Sequence, residues 1–266
     1  MKKRIISGII MVPLVIFVYL GGYWLAALAI LVGFMGVREF YKGFEAMDVH
    51  PSHGIAWAAL FTLYLIHGLV PHEPIFILAW LAAFIMIGSL WMFDIEKRTP
   101  TDTMATIIGI VYIIFFSYHV VLVDGTGPYR ILIWLVLLTA FGSDICAYFA
   151  GVFLGKHKMA PHLSPKKTIE GAIGGVLGSA ILSGLFGWFF AKPLFIHCII
   201  IGLLASPVSM CGDLTASAYK RTMGIKDYGN LIPGHGGIMD RFDSILFTAP
   251  FVYYYIAIVL EHFQLG

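Results

Sequence analysis

The residues able to do chemistry in this chain are concentrated in its second half. Asp144 lies in Phe141-Gly142-Ser143-Asp144-Ile145-Cys146-Ala147-Tyr148, with apolar residues on both sides, and Asp213 lies late in another apolar run, in Met210-Cys211-Gly212-Asp213-Leu214. A carboxylate at membrane depth costs about 2.5–3.5 kcal/mol on insertion scales, so such residues face a cavity, a partner or an ion. For Asp144 the plain alternative is a buried ion pair with a lysine of the same half. Ser217 follows Asp213 by four residues and shares its helix face. Taken alone, its hydroxyl could simply bond its own helix backbone.

Between these carboxylates come Lys156-His157-Lys158 and Ser164-Pro165-Lys166-Lys167-Thr168-Ile169-Glu170-Gly171. Ser164 or Thr168 is the expected N-cap of the next helix. Lys166 and Lys167 then have two readings that spacing leaves level: topology-setting charge near anionic lipid head groups, or a phosphate site made from a helix N-terminus and two lysines. Glu170 favours the site, because it places a third carboxylate at the same depth.

The densest stretch is 213–243, with eight charges: Asp213, Lys220, Arg221, Lys226, Asp227, Asp240, Arg241 and Asp243. Inside it runs Gly229-Asn230-Leu231-Ile232-Pro233-Gly234-His235-Gly236-Gly237. Gly236, Gly237 and their neighbours would let backbone N–H groups approach a ligand, as phosphate-cradling loops do. Asp240 and Asp243, one turn apart at the start of the last helix, suit a hard cation. Carboxylates and basic residues around such a loop suggest Mg²⁺ with a polyphosphate, since Mg²⁺ binds through one or two carboxylates plus substrate phosphates. His235 reads as a phosphate or leaving-group contact, because no His or Cys nearby completes a zinc set.

These groups need elements to hold them, and composition says which. The 266 residues are 59% apolar and 12% charged, against about 25% charged in a soluble domain, which excludes a soluble globular protein as well as disorder. A net charge of +2 gives no ground for a nucleic-acid partner. Cys146, Cys198 and Cys211 form neither a disulfide framework nor a zinc pattern and are expected to be small core residues. The fold class is therefore an all-α polytopic integral membrane protein of about nine transmembrane helices.

Stretches of about 20 apolar residues bounded by charges or turns place the spans at 5–20, 23–44, 54–71, 75–93, 103–123, 130–153, 168–190, 194–219 and 242–262. The first two are expected to form a tight hairpin at Gly21-Gly22, and Lys2-Lys3-Arg4 to start an uncleaved first span, no A-x-A-like site following it. With this set, 15 of the 17 Lys and Arg residues fall on one side of the membrane, leaving only Arg130 and Lys192 on the other. The positive-inside rule then puts the N-terminus in the cytoplasm and the C-terminus outside. No repeat or linker divides the chain, so 1–266 reads as one transmembrane domain. Residues 1–130 are mainly scaffold spans whose charges (Arg38, Glu39, Lys42, Asp94, Asp102 among them) form a solvated collar. Residues 140–245 are a catalytic half whose site faces the cytoplasm.

The run from Ser217 through Lys220-Arg221, Lys226-Asp227, Pro233-Gly-His235-Gly236-Gly237 and Asp240-Arg241-Phe-Asp243 closely resembles the signature of phosphatidate cytidylyltransferases, or CDP-diacylglycerol synthases. Ser143-Asp144…Ala147-Tyr148…Gly151…Gly155-Lys156 and Ser164-Pro-Lys166-Lys167-Thr168…Glu170-Gly171 look like other cytoplasmic blocks of the same family. The resemblance covers about 140–245. It implies the reaction CTP + phosphatidate → CDP-diacylglycerol + pyrophosphate in phospholipid biosynthesis, a homodimer, a bacterial inner or plasma membrane location, and Mg²⁺, alone or with a second divalent or monovalent cation. Carried over, it makes Asp213 and Asp240 metal ligands, with Asp144, Glu170, Asp227 and Asp243 as neighbouring polar groups. Lys166, Lys167, Lys220, Arg221, Lys226 and Arg241 become phosphate contacts. Two other readings stay open on the residues alone: a CTP-dependent lipid kinase or transferase with a different acceptor, and an ion-coupled transporter using Asp144 and Asp213.

Overall fold

A computed structural model describes residues 15–70, 73–231 and 236–262, and they fold as an all-α polytopic membrane protein. Among them, seven helices are long and apolar enough to cross a membrane: α1 (Gly22–Glu45), α3 (Pro74–Trp91), α4 (Pro100–Asp124), α5 (Gly127–Leu154), α6 (Ile169–Phe190), α7 (Lys192–Thr222) and α8 (Met239–Glu261). A shorter apolar helix, α2 (His53–Leu69), stands where an eighth span is expected. The expected first span at 5–20 lies mostly outside the described residues; residues 15–20 are helical. They stop at Gly21, just before α1 begins at Gly22; the φ of these two residues, 63° and 51°, suits glycine. One departure from all-helix is a two-stranded antiparallel hairpin, β1 (Lys158–Ala160) with β2 (Ser164–Thr168). Nothing in a short polar run of this kind signals strands.

The chain divides into two compact units. One runs to Tyr118 and adds Thr222–Arg241; the other comprises His119–Arg221 and the residues from Phe242 on.

In the first unit, helix starts and packing are fixed by polar contacts that the collar reading does not foresee. Thr99 and Asp102 form a capping box at the start of α4, and Asp102 also accepts the His50 N–H at 2.6 Å. Asp102 is therefore buried and fully used, where a solvated residue is expected. Thr106 in the next turn accepts from Ser52 N at 2.8 Å, and its carbonyl accepts the Tyr41 hydroxyl at 2.7 Å, tying α1, the α1–α2 connection and α4 together. Phe40, fully buried on α1, packs its ring against Tyr112 and Tyr228.

In the second unit, α5 and α6 make the most extensive helix contact, and small residues on α6 explain it. Gly171, Gly175, Ser179, Ser183 and Gly187 recur every four residues, are buried, and form the kind of stripe that lets membrane helices approach closely. A Cβ on Gly175 would meet Met210 Cε at 2.6 Å and Ala147 Cβ at 3.0 Å. Ser143 on α5 and Ser206 on α7 share a hydrogen bond of 2.6 Å. Cys198 is a core residue as expected, whereas Cys211 is exposed on α7 and Cys146 half-buried.

Candidate active site

In the second unit, Asp144, Lys158, Lys166, Lys167 and Asp213 line one cavity of about 510 Å³. Each arrives there for a local reason. Asp144 is in the regular second half of α5, just after a π-helical stretch at Leu138–Gly142, where it is exposed to the cavity. Lys158 is on β1, while Lys166 and Lys167 are carried by β2, which runs straight into α6. Thr168 caps that helix, accepting from Gly171 N at 3.1 Å, so the choice between Ser164 and Thr168 falls to Thr168. Asp213 is on α7 and forms an ion pair with Lys167, each side chain retaining about a quarter of its exposure.

The glycines behind this hairpin keep it close to α5. A Cβ on Gly171 would meet the Ala147 carbonyl at 2.8 Å, and one on Gly155 would meet Thr168 Oγ1 at 2.8 Å. A Cβ on Gly212 of α7 would likewise meet the Asp243 carbonyl oxygen at 2.7 Å. Asp243 itself is buried, accepts the Ser244 N–H at 2.7 Å, and lies within electrostatic range of Asp213, Lys220 and Asp144. Lys220 and half-buried Ser217 continue α7 beyond Asp213. Arg221 is exposed and donates from Nε to the Leu163 carbonyl at the hairpin turn, at 3.4 Å.

Glu170 bonds the backbone just ahead of β1. It accepts from Lys156 N at 3.0 Å and His157 N at 3.1 Å, and His157 Nδ1 lies 2.5 Å from its Oε1. Its carboxylate thus holds the strand-entry segment 155–157 in place.

The glycine-rich segment belongs to the first unit. Asp240 Oδ2 accepts two backbone N–H groups, from Tyr228 and Gly237, both at 2.9 Å. Gly236 has φ of 82°, and a Cβ there would meet Asp240 Oδ2 at 2.6 Å, so position 236 needs glycine on two counts. Lys226 and Asp227 are exposed just before Tyr228, and Arg241 follows half-buried. His235 lies outside the described residues.

One participant escapes a reading of the sequence. Glu39 on α1 accepts the Met239 N–H at 3.0 Å, 200 positions away, and so satisfies an amide at the start of α8. A Cβ on Gly229 would come within 2.5 Å of Glu39 Oε1, so both sides of the glycine-rich segment close on this carboxylate. As a charge at a span end it reads as collar. The signal that could have marked it is the small-residue spacing around it, Gly36 and Gly43, where α1 packs closely against the side chains of Ile113, Met239, Met223 and Ile225.

Among the described residues, no group of three or more His, Cys, Asp or Glu side chains is placed to enclose a metal ion. A closed protein cage is thus not what these residues make. Asp213, a hard oxygen donor at a cavity that also holds lysines, fits a cation shared with substrate phosphates.

A model of the cytidylyltransferase family matches residues 2–259. The chain belongs to that family. It is 34% identical to the phosphatidate cytidylyltransferase of Synechocystis over 97% of both chains. It is 32% identical to that of Bacillus subtilis, covering 97% of this chain and 98% of the relative. With that of Thermotoga maritima the identity is 30%, over 98% and 97%. The cytidylyltransferase match extends through both units, including the first 130 residues, where the sequence offers only hydropathy and length.

Proposed function

We propose that this chain transfers the cytidylyl group of CTP to phosphatidate, releasing pyrophosphate and giving CDP-diacylglycerol for phospholipid synthesis. The observation that carries the proposal is the cavity of the second unit, where Lys158, Lys166 and Lys167 meet Asp144 and Asp213 at one end of apolar helices. The family membership points the same way.

The lipid's phosphate monoester has a second pKa near 6, as phosphorylated side chains do, and is mostly dianionic at neutral pH. An oxygen of that dianion attacks the α-phosphorus of CTP, and the bond from the α-phosphorus to the pyrophosphate oxygen breaks. The nucleophile needs no proton removed, so no strong general base is required. The work left to the protein is to bring two anions together in line and to stabilise the departing charge. Lys167 and Lys166 do this as fixed ammonium groups beside the reacting phosphates. Asp213 keeps Lys167 oriented, and Glu170 keeps the hairpin that carries both lysines against α5 and α6.

Mg²⁺ would be held by Asp213 jointly with substrate phosphates, and the resemblance gives Asp240 the same role. When bound it supplies charge neutralisation to the triphosphate. Lys220, Arg221, Lys226 and Arg241 complete the basic set, with Asp144, Asp227 and Asp243 as polar neighbours and Ser217, His235, Gly236 and Gly237 as substrate contacts. The finer arrangement proposed is nine spans, N-terminus in the cytoplasm, C-terminus outside, a homodimer, and a cavity open to the cytoplasmic face of a bacterial inner membrane. There CTP arrives from water and phosphatidate from the bilayer.

Incubation of purified protein with labelled CTP, phosphatidate and Mg²⁺ tests the proposal. Label appearing in a chloroform-soluble CDP-lipid, with one pyrophosphate released per lipid, is the expected result. Label that stays in the aqueous phase overturns the reading.

A further inference from the structure

A second depression adjoins the lysine-bearing cavity. It is an apolar groove of about 400 Å³ between α6 and α7, lined by Ile173, Val176 and Leu177 on one side and Pro207, Cys211 and Leu214 on the other. Met159, Ala172 and Met210 line both the groove and the cavity, so the two are continuous. Asp213 on α7 faces the cavity while Cys211 and Leu214, on either side of it, face the groove. From Pro207 to Leu214 the groove follows α7 for about 10 Å, two helical turns.

An apolar furrow on a membrane helix pair is ordinary and bulk lipid would fill it. What distinguishes this one is its junction with a cavity lined by three lysines, Lys158, Lys166 and Lys167. A ligand matching both parts must be amphiphilic, with an anionic head for Lys158, Lys166 and Lys167 and a hydrocarbon chain leaving past Met159 and Met210. We propose that the groove between α6 and α7 holds one acyl chain of the phosphatidate substrate, and of the product after transfer. The proposal rests on the lipid-phosphate reading above. It adds that the enzyme recognises the chain as well as the head group, through Val176 and Cys211 on opposite walls. Because the chain leaves one apolar medium for another, discrimination here comes from shape, and it grows with the length of chain the groove must hold.

The test compares dioleoyl-phosphatidate with dihexanoyl-phosphatidate in the full-length protein. Cys211→Trp fills the groove from α7 and Val176→Phe from α6, so the failure of one variant to fold leaves the other. Each is expected to raise KM for the dioleoyl lipid fivefold or more and for the dihexanoyl lipid less than twofold. Equal changes for both lipids, or none for either, overturn the groove assignment while leaving the cytidylyltransferase reading intact. So does oxidative cross-linking of two wild-type chains through Cys211 in the membrane, which would show the groove covered by a second copy. A wild-type protein that makes CDP-lipid from neither substrate overturns the parent reading, and this one with it.

Discussion

At the scale of single residues, the Lys167–Asp213 pair concentrates the chemistry. Lys167→Met and Asp213→Asn should each lower kcat/KM at least a hundredfold. In the double variant the losses should combine to less than their product, because residues acting as a unit are non-additive; steady-state assays on purified protein measure this. Asp240→Asn separates two roles. An asparagine oxygen still accepts the Tyr228 and Gly237 N–H groups, so the fold should persist by thermal melting while activity falls if the carboxylate serves a cation. Substrate protonation sets the pH profile: kcat/KM for phosphatidate should fall toward tenfold per pH unit below about 6, as the lipid phosphate becomes a monoanion and the reactive form is depleted. Asp144 and Asp213 stood out in the sequence because a charge in an apolar run needs a reason, whereas Lys166 and Lys167, in a polar connection, had two readings of equal weight. Glu39 and Asp102 were not, because a charge at a span end has a ready alternative in water, and only the folded chain shows that backbone N–H groups from other segments occupy them.

At the scale of elements, the start of α8 and the α5–α6 contact are the parts to perturb. Glu39→Ala removes the acceptor of Met239 N and should cost about 1–2 kcal/mol, the range for a lost helix cap. Glu39→Gln keeps an acceptor and should retain most of that stability. Amide exchange at Met239, faster in the alanine variant than in the glutamine one, is the measurement. Gly175→Val would drive a branched side chain into Met210 and Ala147, with a cost of about 1–3 kcal/mol from overpacking and a loss of cavity shape. Helices were readable from hydropathy, and the start of α6 from its cap candidates Ser164 and Thr168. The β1–β2 hairpin was not, since strands of three and five residues are too short to show an alternation, and this one is positioned by Glu170 and by the close approach of Gly155 to Thr168.

At the scale of the whole molecule, the proposed span set makes a direct prediction about sidedness. A reporter fused after Gly266 should be active only outside the cytoplasm and one fused before Met1 only inside; the same side for both ends would remove one span from the count of nine. Seven spans were legible to within a few residues, because the balance of apolar length against charge is a whole-chain property. The division into two interleaved units was not, because contacts between residues far apart leave no trace in local composition. The bond from Glu39 to Met239 also bears on biosynthesis. A ribosome delivers α1 to the membrane long before residue 239 exists, so during translation the early helix carries a carboxylate whose partner has yet to be made. Full-length chains settle that debt on completion. Nascent chains that terminate anywhere before Met239 should expose it permanently and be the ones that membrane proteases clear first.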